Sequence, residues 1–185
     1  MNGNKTKITG NQKNFICSDL HIGHSNILRY DNRPFQSIEE HDSKLLENWN
    51  DTVGQNDHVY FIGDWCFNQS SGIEFAKRCN GKIFFIMGNH DHKHLKHPEL
   101  RNRFEWVQDY HELSLDGQLI CLFHYEIAEW NGCHRGSMHL FGHSHKRYAG
   151  DSRKFNVGIN LLDYRPVLLQ DVVRKLENCQ PTQHH

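Results

Sequence analysis

The apolar run Ile83-Phe84-Phe85-Ile86-Met87 stops at Gly88 and gives way at once to Asn89-His90-Asp91. Five apolar residues in succession read as a buried strand. The three polar, ligand-capable side chains then fall at a strand terminus, where α/β proteins place their binding groups. Four other blocks repeat the pattern. Phe15-Ile16-Cys17 leads into Ser18-Asp19-Leu20-His21, and His58 to Ile62 leads into Gly63-Asp64. The run 118–123 leads into His124, and Met138 to Phe141 leads into Gly142-His143-Ser144-His145. In an extended segment residues i and i+2 share a face, so Asp19 with His21, and His143 with His145, each aim two side chains at one place. A glycine ahead of the ligand lets the chain turn at the strand end. Singly such pairs are weak signals; five at apolar-run termini point to one site.

The segments between these blocks set the fold class. Ser37-Ile38-Glu39-Glu40 is a capping box, with Ser37 as N-cap and Glu40 three residues on. The helix it opens carries Ile38, Leu45 and Trp49 on one stripe and ends near Val53-Gly54. A shorter helix over Ile73 to Cys79 stops at Asn80-Gly81. The first half therefore alternates strand, helix, strand, helix, strand, which predicts a parallel sheet. The second half reads differently: strands over 106–115 and 118–124 joined by Asp116-Gly117, a strong hairpin signal. Strands at 138–141, 155–159 and 166–169 and a helix over 171–177 follow. Residues 15–180 read as one domain, and the polar residues 1–14 as a flexible lead-in.

Composition narrows the chemistry. The chain holds 16 histidines in 185 residues, and imidazole is the commonest metal ligand and general acid or base. His92, His94 and His97 lie in a polar run and read as solvated surface; His184 and His185 fit a truncated tag. Six cysteines, none in a CxxC pair, suggest buried thiols in a reducing cytoplasmic setting. Basic and acidic residues nearly balance, 21 against 22, so no strong nucleic-acid footprint is expected. No apolar run is long enough to span a membrane.

The candidate ligands are Asp19, His21, Asp64, Asn89, His124, His143 and His145. Mixed oxygen and imidazole donors without thiolate suit Mn²⁺, Fe, Zn²⁺, Ni²⁺ or Co²⁺. Seven ligands are too many for one tetrahedral ion and suit two ions sharing a carboxylate. Together, and in this order from about residue 15 to 160, the blocks resemble the calcineurin-like metallophosphoesterase superfamily, and within it the small single-domain phosphoesterases of bacteria and phages.

That resemblance implies a four-layer αββα sandwich, with two mixed sheets flanked by helices. It implies two divalent or trivalent transition-metal ions: Asp19, His21 and His145 at the first, Asn89, His124 and His143 at the second, Asp64 bridging. It implies in-line attack by a metal-bridging hydroxide, with His90 protonating the leaving group and Asp91 holding its ring. The substrate would be a small phosphate ester or nucleotide, more in keeping with a diester than a monoester. Trp65-Cys66-Phe67 after Asp64, and Gly-Asn-His-Asp at 88–91, depart from the protein serine/threonine phosphatase motifs and argue against that activity. His24, Asn32, Arg33 and Arg135 are candidate substrate contacts, with Lys146 and Arg147 as further cations. Tyr125 and Trp130 are candidate base-stacking surfaces. The rival hydrolase motifs fit less well, since the metallo-β-lactamase pattern is absent and His90-Asp91 follows a strand. A non-catalytic scaffold would not be expected to keep every ligand position.

Overall fold

The computed structural model describes residues 5–145 and 153–180. The elements are β1 (Lys5–Lys7), β2 (Asn14–Cys17), α1 (Ile27–Tyr30), α2 (Ile38–Thr52), β3 (His58–Ile62), α3 (Gln69–Arg78), β4 (Lys82–Ile86), α4 (Pro98–Arg101), β5 (Phe104–Gln108), β6 (Tyr110–Leu115), β7 (Gln118–Phe123), β8 (Met138–Phe141), β9 (Lys154–Asn156), β10 (Val167–Leu168) and α5 (Leu169–Glu177). Short 3-10 turns occupy His94–Lys96, Cys133–Arg135 and Ile159–Leu161.

Two five-stranded sheets result, flanked by helices. The first runs β10-β2-β3-β4-β5, with β2 to β5 parallel and β10 antiparallel to β2. The second runs β1-β6-β7-β8-β9, with only β6 and β7 antiparallel. Side chains alternate across the first sheet, as the pleat requires. Cys17, Phe61, Ile83 and Phe85 pack with Leu45 and Trp49 of α2 and Phe75 of α3. Ile16, Tyr60, Ile62 and Ile86 face the other way, into a core shared with Leu113, Ile120, Leu122, Met138 and Leu140 of the second sheet. The apolar face of α5, Leu169, Val172, Val173 and Leu176, closes that inter-sheet core. On the outer face of the second sheet, Cys121 packs under Trp130 and Cys133.

The capping box forms as read: Ser37 accepts from the Glu40 N–H at 3.1 Å. Glu40 returns the bond one residue further back, to the Gln36 N–H at 2.7 Å. The Asp116-Gly117 turn has φ of 50° and 87° at its two central positions, the left-handed pair that a two-residue hairpin needs.

Several expectations are corrected. Within residues 1–14, Lys5–Lys7 forms a strand that pairs in parallel with β6. The run 106–115 is two strands in two sheets, β5 beside β4 and β6 beside β7, divided at Asp109. The second helix begins at Gln69, capped by the Asn68 side chain, which accepts from the Ser71 N–H. After Asn156 the chain leaves the sheet and makes the 3-10 turn. His94 is buried at 4% exposure, whereas His92 and His97 are exposed as expected. Lys146, Arg147, His184 and His185 lie outside the described residues. No described helix is long and apolar enough to cross a membrane.

Candidate metal centre

Parallel strands end on the same side, so the residues after β2, β3 and β4 emerge together, as do those after β7 and β8. Backbone hydrogen bonds join these ends into one rim. The Asp19 N–H donates to the Gly63 carbonyl, the His21 N–H to that of Asp64, and the Gly142 N–H to that of His124, at 2.9, 3.1 and 3.0 Å. Five of the seven candidate ligands, Asp19, His21, Asp64, His143 and His145, sit at φ between 52° and 65°. Left-handed backbone at non-glycine residues is strained, and it clusters at functional sites. Gly63, at φ 78°, provides the turn before Asp64. Gly88 and Gly142 serve closeness rather than turning. A Cβ on Gly88 would strike the Asp64 carboxylate, and one on Gly142 that of Asp19.

Two donor groups converge on this rim. Asp19, His21, Asp64 and His145 each bring one donor atom within 4.8 Å of the others, and so do Asp64, His124 and His143. Asp64 belongs to both. Its Oδ2 lies 3.6 Å from His21 Nε2 and 3.5 Å from His124 Nε2. Asn89 joins the second group, its Oδ1 at 3.2 Å from His124 Nε2 and 2.9 Å from His143 Nδ1. His145 Nε2 is 3.1 Å from His21 Nε2 and 3.3 Å from Asp19 Oδ1. Ligands about 2.1 Å from one ion lie about 3.0–3.5 Å from one another, so these spacings suit shared cations.

The ring orientations fit as well. His145 Nδ1 faces Asp31 Oδ2 at 2.7 Å, and His124 Nδ1 faces the Ile62 carbonyl at 2.9 Å. Each neutral ring then carries its proton on Nδ1 and turns the Nε2 lone pair inward, the arrangement typical of metal-ligating histidine. Lone pairs converging on acidic oxygens are favourable only around positive charge.

The electrostatics agree. Burial pulls His124 and His145 down, but Asp64 and Asp19 on the first, and Asp19 and Asp31 on the second, outweigh it and raise both to about 9. Burial raises Asp19 and Asp64, yet hydrogen bonds and charge from His145 and His124 bring both below the ordinary carboxylate value. Burial is the main cause that holds His21 well below its ordinary value. The carboxylates thus create a field that attracts protons or cations alike.

The cleft above these groups, about 360 Å³, is lined by His21, His24, Ile27, Tyr30, Asp31, Asp64, Asn89, His90, His143, Ser144 and His145. His90 is at its surface, 38% exposed, with Nε2 4.0 Å from Asp64 Oδ2 and its N–H donated to Asp64 Oδ1 at 3.0 Å. His24 lines the cleft and stacks on Phe67 at 4.1 Å.

Other candidates are placed elsewhere. Asp91 does not hold the His90 ring. Its carboxylate accepts three backbone N–H groups, from Asp64, Trp65 and Gly88, at 2.8, 2.9 and 2.7 Å. Burial, then the charge of Asp64, pushes it up to about 6 against those donors. Arg33 is buried beneath the first motif, not in the cleft. Asn32, exposed at φ 49°, is not in the lining. Arg135 borders a separate hollow with Gly117, Gln118 and Ser137. Trp130 covers the outer sheet face, but Tyr125 is half-exposed, 4.7 Å from the His143 ring. Asp31 carries no motif that marks it as part of the site, and neither do Tyr30, Phe67 and His41. The one signal for Asp31 is an acidic side chain in the loop after the first motif.

A family model, the calcineurin-like phosphoesterase superfamily domain, matches residues 13–160. An uncharacterized protein of Methanocaldococcus jannaschii is 28% identical over 176 residues, 90% of this chain and 92% of that one. The gene 66 protein of Mycobacterium phage D29 is 27% identical over 194 residues, 89% and 95% of the two chains. Among solved structures, a protein of unknown function from Aquifex aeolicus has a TM-score of 0.68 at 21% identity, covering 89% of this chain and 100% of that one. A novel archaeal phosphodiesterase has a TM-score of 0.51 at 20% identity, covering 80% and 84%. At these identities the two structures share the fold.

Proposed function

The chain belongs to the calcineurin-like phosphoesterase superfamily, and on that premise we propose that it is a dinuclear metal-dependent phosphodiesterase acting on small nucleotide esters. The observation that carries this reading is Asp64, one carboxylate common to two donor groups. Bound there, two transition-metal cations would supply Lewis acidity to a phosphoryl group and a nucleophilic hydroxide at neutral pH.

The protein's own residues do the rest. Asp64 sets the spacing of the two groups. Asn89 adds a neutral oxygen to the second group, with no negative charge to repel a phosphate. His90 is the general acid: it lines the cleft, stands outside both donor groups and lies beside the shared carboxylate. Its ring is met edge-on by His21 at 5.4 Å and by the tilted ring of Phe67 at 5.9 Å. His24, the other cleft imidazole outside the groups, is committed to its stack on Phe67.

One feature favours a nucleotide diester, with a group on each side of the phosphate, over a simple monoester. The large hydrophobic side chains left exposed among the described residues are Tyr30, Phe67 and Tyr125, each beside a cleft histidine. Flat faces at that rim suit a nucleobase. Arg29 and Lys93 lie over Tyr30 and Phe67.

The test is bis-nitrophenyl against mono-nitrophenyl phosphate with Mn²⁺, and chelated protein as control. The reading expects metal-dependent turnover with kcat/KM for the diester at least about tenfold higher. The opposite ratio would make the protein a phosphomonoesterase. Inertness with Mn²⁺, Ni²⁺ and Co²⁺ on both esters would return it to the scaffold reading.

A further inference from the structure

Beneath the donor groups, a buried hydrogen-bond network reaches α2. Arg33 has five N–H groups and makes five contacts. Nε and Nη2 reach Asp31 Oδ2 at 3.2 and 3.1 Å, Nη2 the Asp19 carbonyl at 2.9 Å, and Nη1 the Leu20 carbonyl at 3.0 Å and His41 Nε2 at 2.9 Å. A guanidinium only donates. His41 Nε2 is therefore an acceptor, and the ring carries its proton on Nδ1, which faces Asp42 Oδ1 at 2.7 Å. The other oxygen of Asp42 accepts the Gly23 N–H at 2.9 Å.

The loop 19–23 is thus gripped from below at both ends, by Arg33 at the Asp19 and Leu20 carbonyls and by Asp42 at Gly23. His41, fully buried, is the link between the two grips. The same guanidinium holds Asp31, which holds the ring of His145. Asp19 and His21 have left-handed backbone, a conformation that persists only where the surroundings over-determine it.

We propose that His41 is a positioning residue for the first donor group, fixing Asp19, His21 and His145 from helix α2 through Arg33, Asp31 and Asp42. The inference rests on the metal reading of that group. It assigns Arg33 to support of the centre rather than to substrate.

The experiment is a Co²⁺ absorption titration of the full chain in an Asn89→Ala background, which disables the second group. His41→Leu, which removes the acceptor, is compared with His41→Gln, which keeps one acceptor and one donor. Loss of a partner behind a metal ligand weakens binding about 10–100-fold. His41→Leu is expected to weaken Co²⁺ at the first group at least about tenfold, and His41→Gln to stay within about threefold of the parent. In chains with intact Asn89, the second ion should bind within about twofold of wild type. If His41→Leu does not fold, Asp42→Ala takes its place and is expected to weaken the first ion in the same way. A folded His41→Leu or Asp42→Ala chain that binds the first ion as tightly as the parent overturns the inference while leaving the metal reading intact. Wild-type protein that binds no Co²⁺ overturns both.

Discussion

Asp91 Oδ2 accepts the backbone N–H of Asp64 at 2.8 Å, so Asp91 stands behind the shared carboxylate and not beside the ring of His90. An asparagine there has one acceptor oxygen for three backbone donors and turns an NH₂ group toward one of them. Asp91→Asn is expected to cost about 1–3 kcal/mol of stability, the penalty for a buried donor left unpaired. Urea unfolding of the metal-free protein measures it. If Asp91 instead oriented His90, stability would hold and only turnover would fall.

His90→Gln should keep both metals and lose about 10²–10⁴-fold in kcat on an ester with a poor leaving group. The loss should shrink on a nitrophenyl ester, whose leaving oxygen needs no proton. Near-full turnover on the poor leaving group would remove His90 from the general-acid role.

Arg33 and Arg135 separate support from substrate contact. Arg33→Met takes the guanidinium from the Asp31 carboxylate, 7% exposed, and leaves it only His145; losing one partner of a buried pair costs up to about 3–5 kcal/mol. Thermal denaturation should show that loss. Arg135→Ala, at a residue that borders a different hollow from the cleft, should leave kcat/KM within about twofold. A selective rise in KM for Arg135→Ala would restore it to the substrate site.

His139 makes one separable contribution to the pH dependence of stability. Burial holds its imidazole down to about 4, against the carbonyls of Cys121 and Tyr125 that face its two nitrogens. In the unfolded chain the ring takes up a proton near pH 6.5, in the folded chain only near 4. Below pH 6.5 the unfolded state therefore binds more protons at this residue, and its contribution to stability falls as pH falls, levelling off below about 4. At pH 5 the loss is about 2 kcal/mol, and at pH 7.5 it is negligible. In His139→Leu the difference in metal-free stability between pH 7.5 and pH 5 should shrink by about that amount. An unchanged difference would show that His139 titrates normally.

The parts legible in the sequence were those fixed locally. The capping box at Ser37, the Asp116-Gly117 turn and the apolar runs ending in ligands need no knowledge of distant neighbours. The convergence of seven side chains could be read because each lies at a strand end, and parallel strands end together. Partner choice was not legible. Arg33 is the same residue whether it meets phosphate or the Asp19 and Leu20 carbonyls, and only the fold of the loop decides. Asp91 follows His90 in sequence, yet its carboxylate turns toward backbone donors on another strand end. The split at Asp109 was hidden because both halves have strand composition, and only pairing shows that they belong to different sheets.

Metal stoichiometry of purified variants, by elemental analysis after Mn²⁺ loading, tests the shared carboxylate most directly. Wild type should hold two ions per chain, Asn89→Ala and His145→Ala one each, and Asp64→Ala fewer than one, because its loss opens both groups. An Asp64→Ala protein that kept two ions would contradict the bridging role and the dinuclear centre built on it.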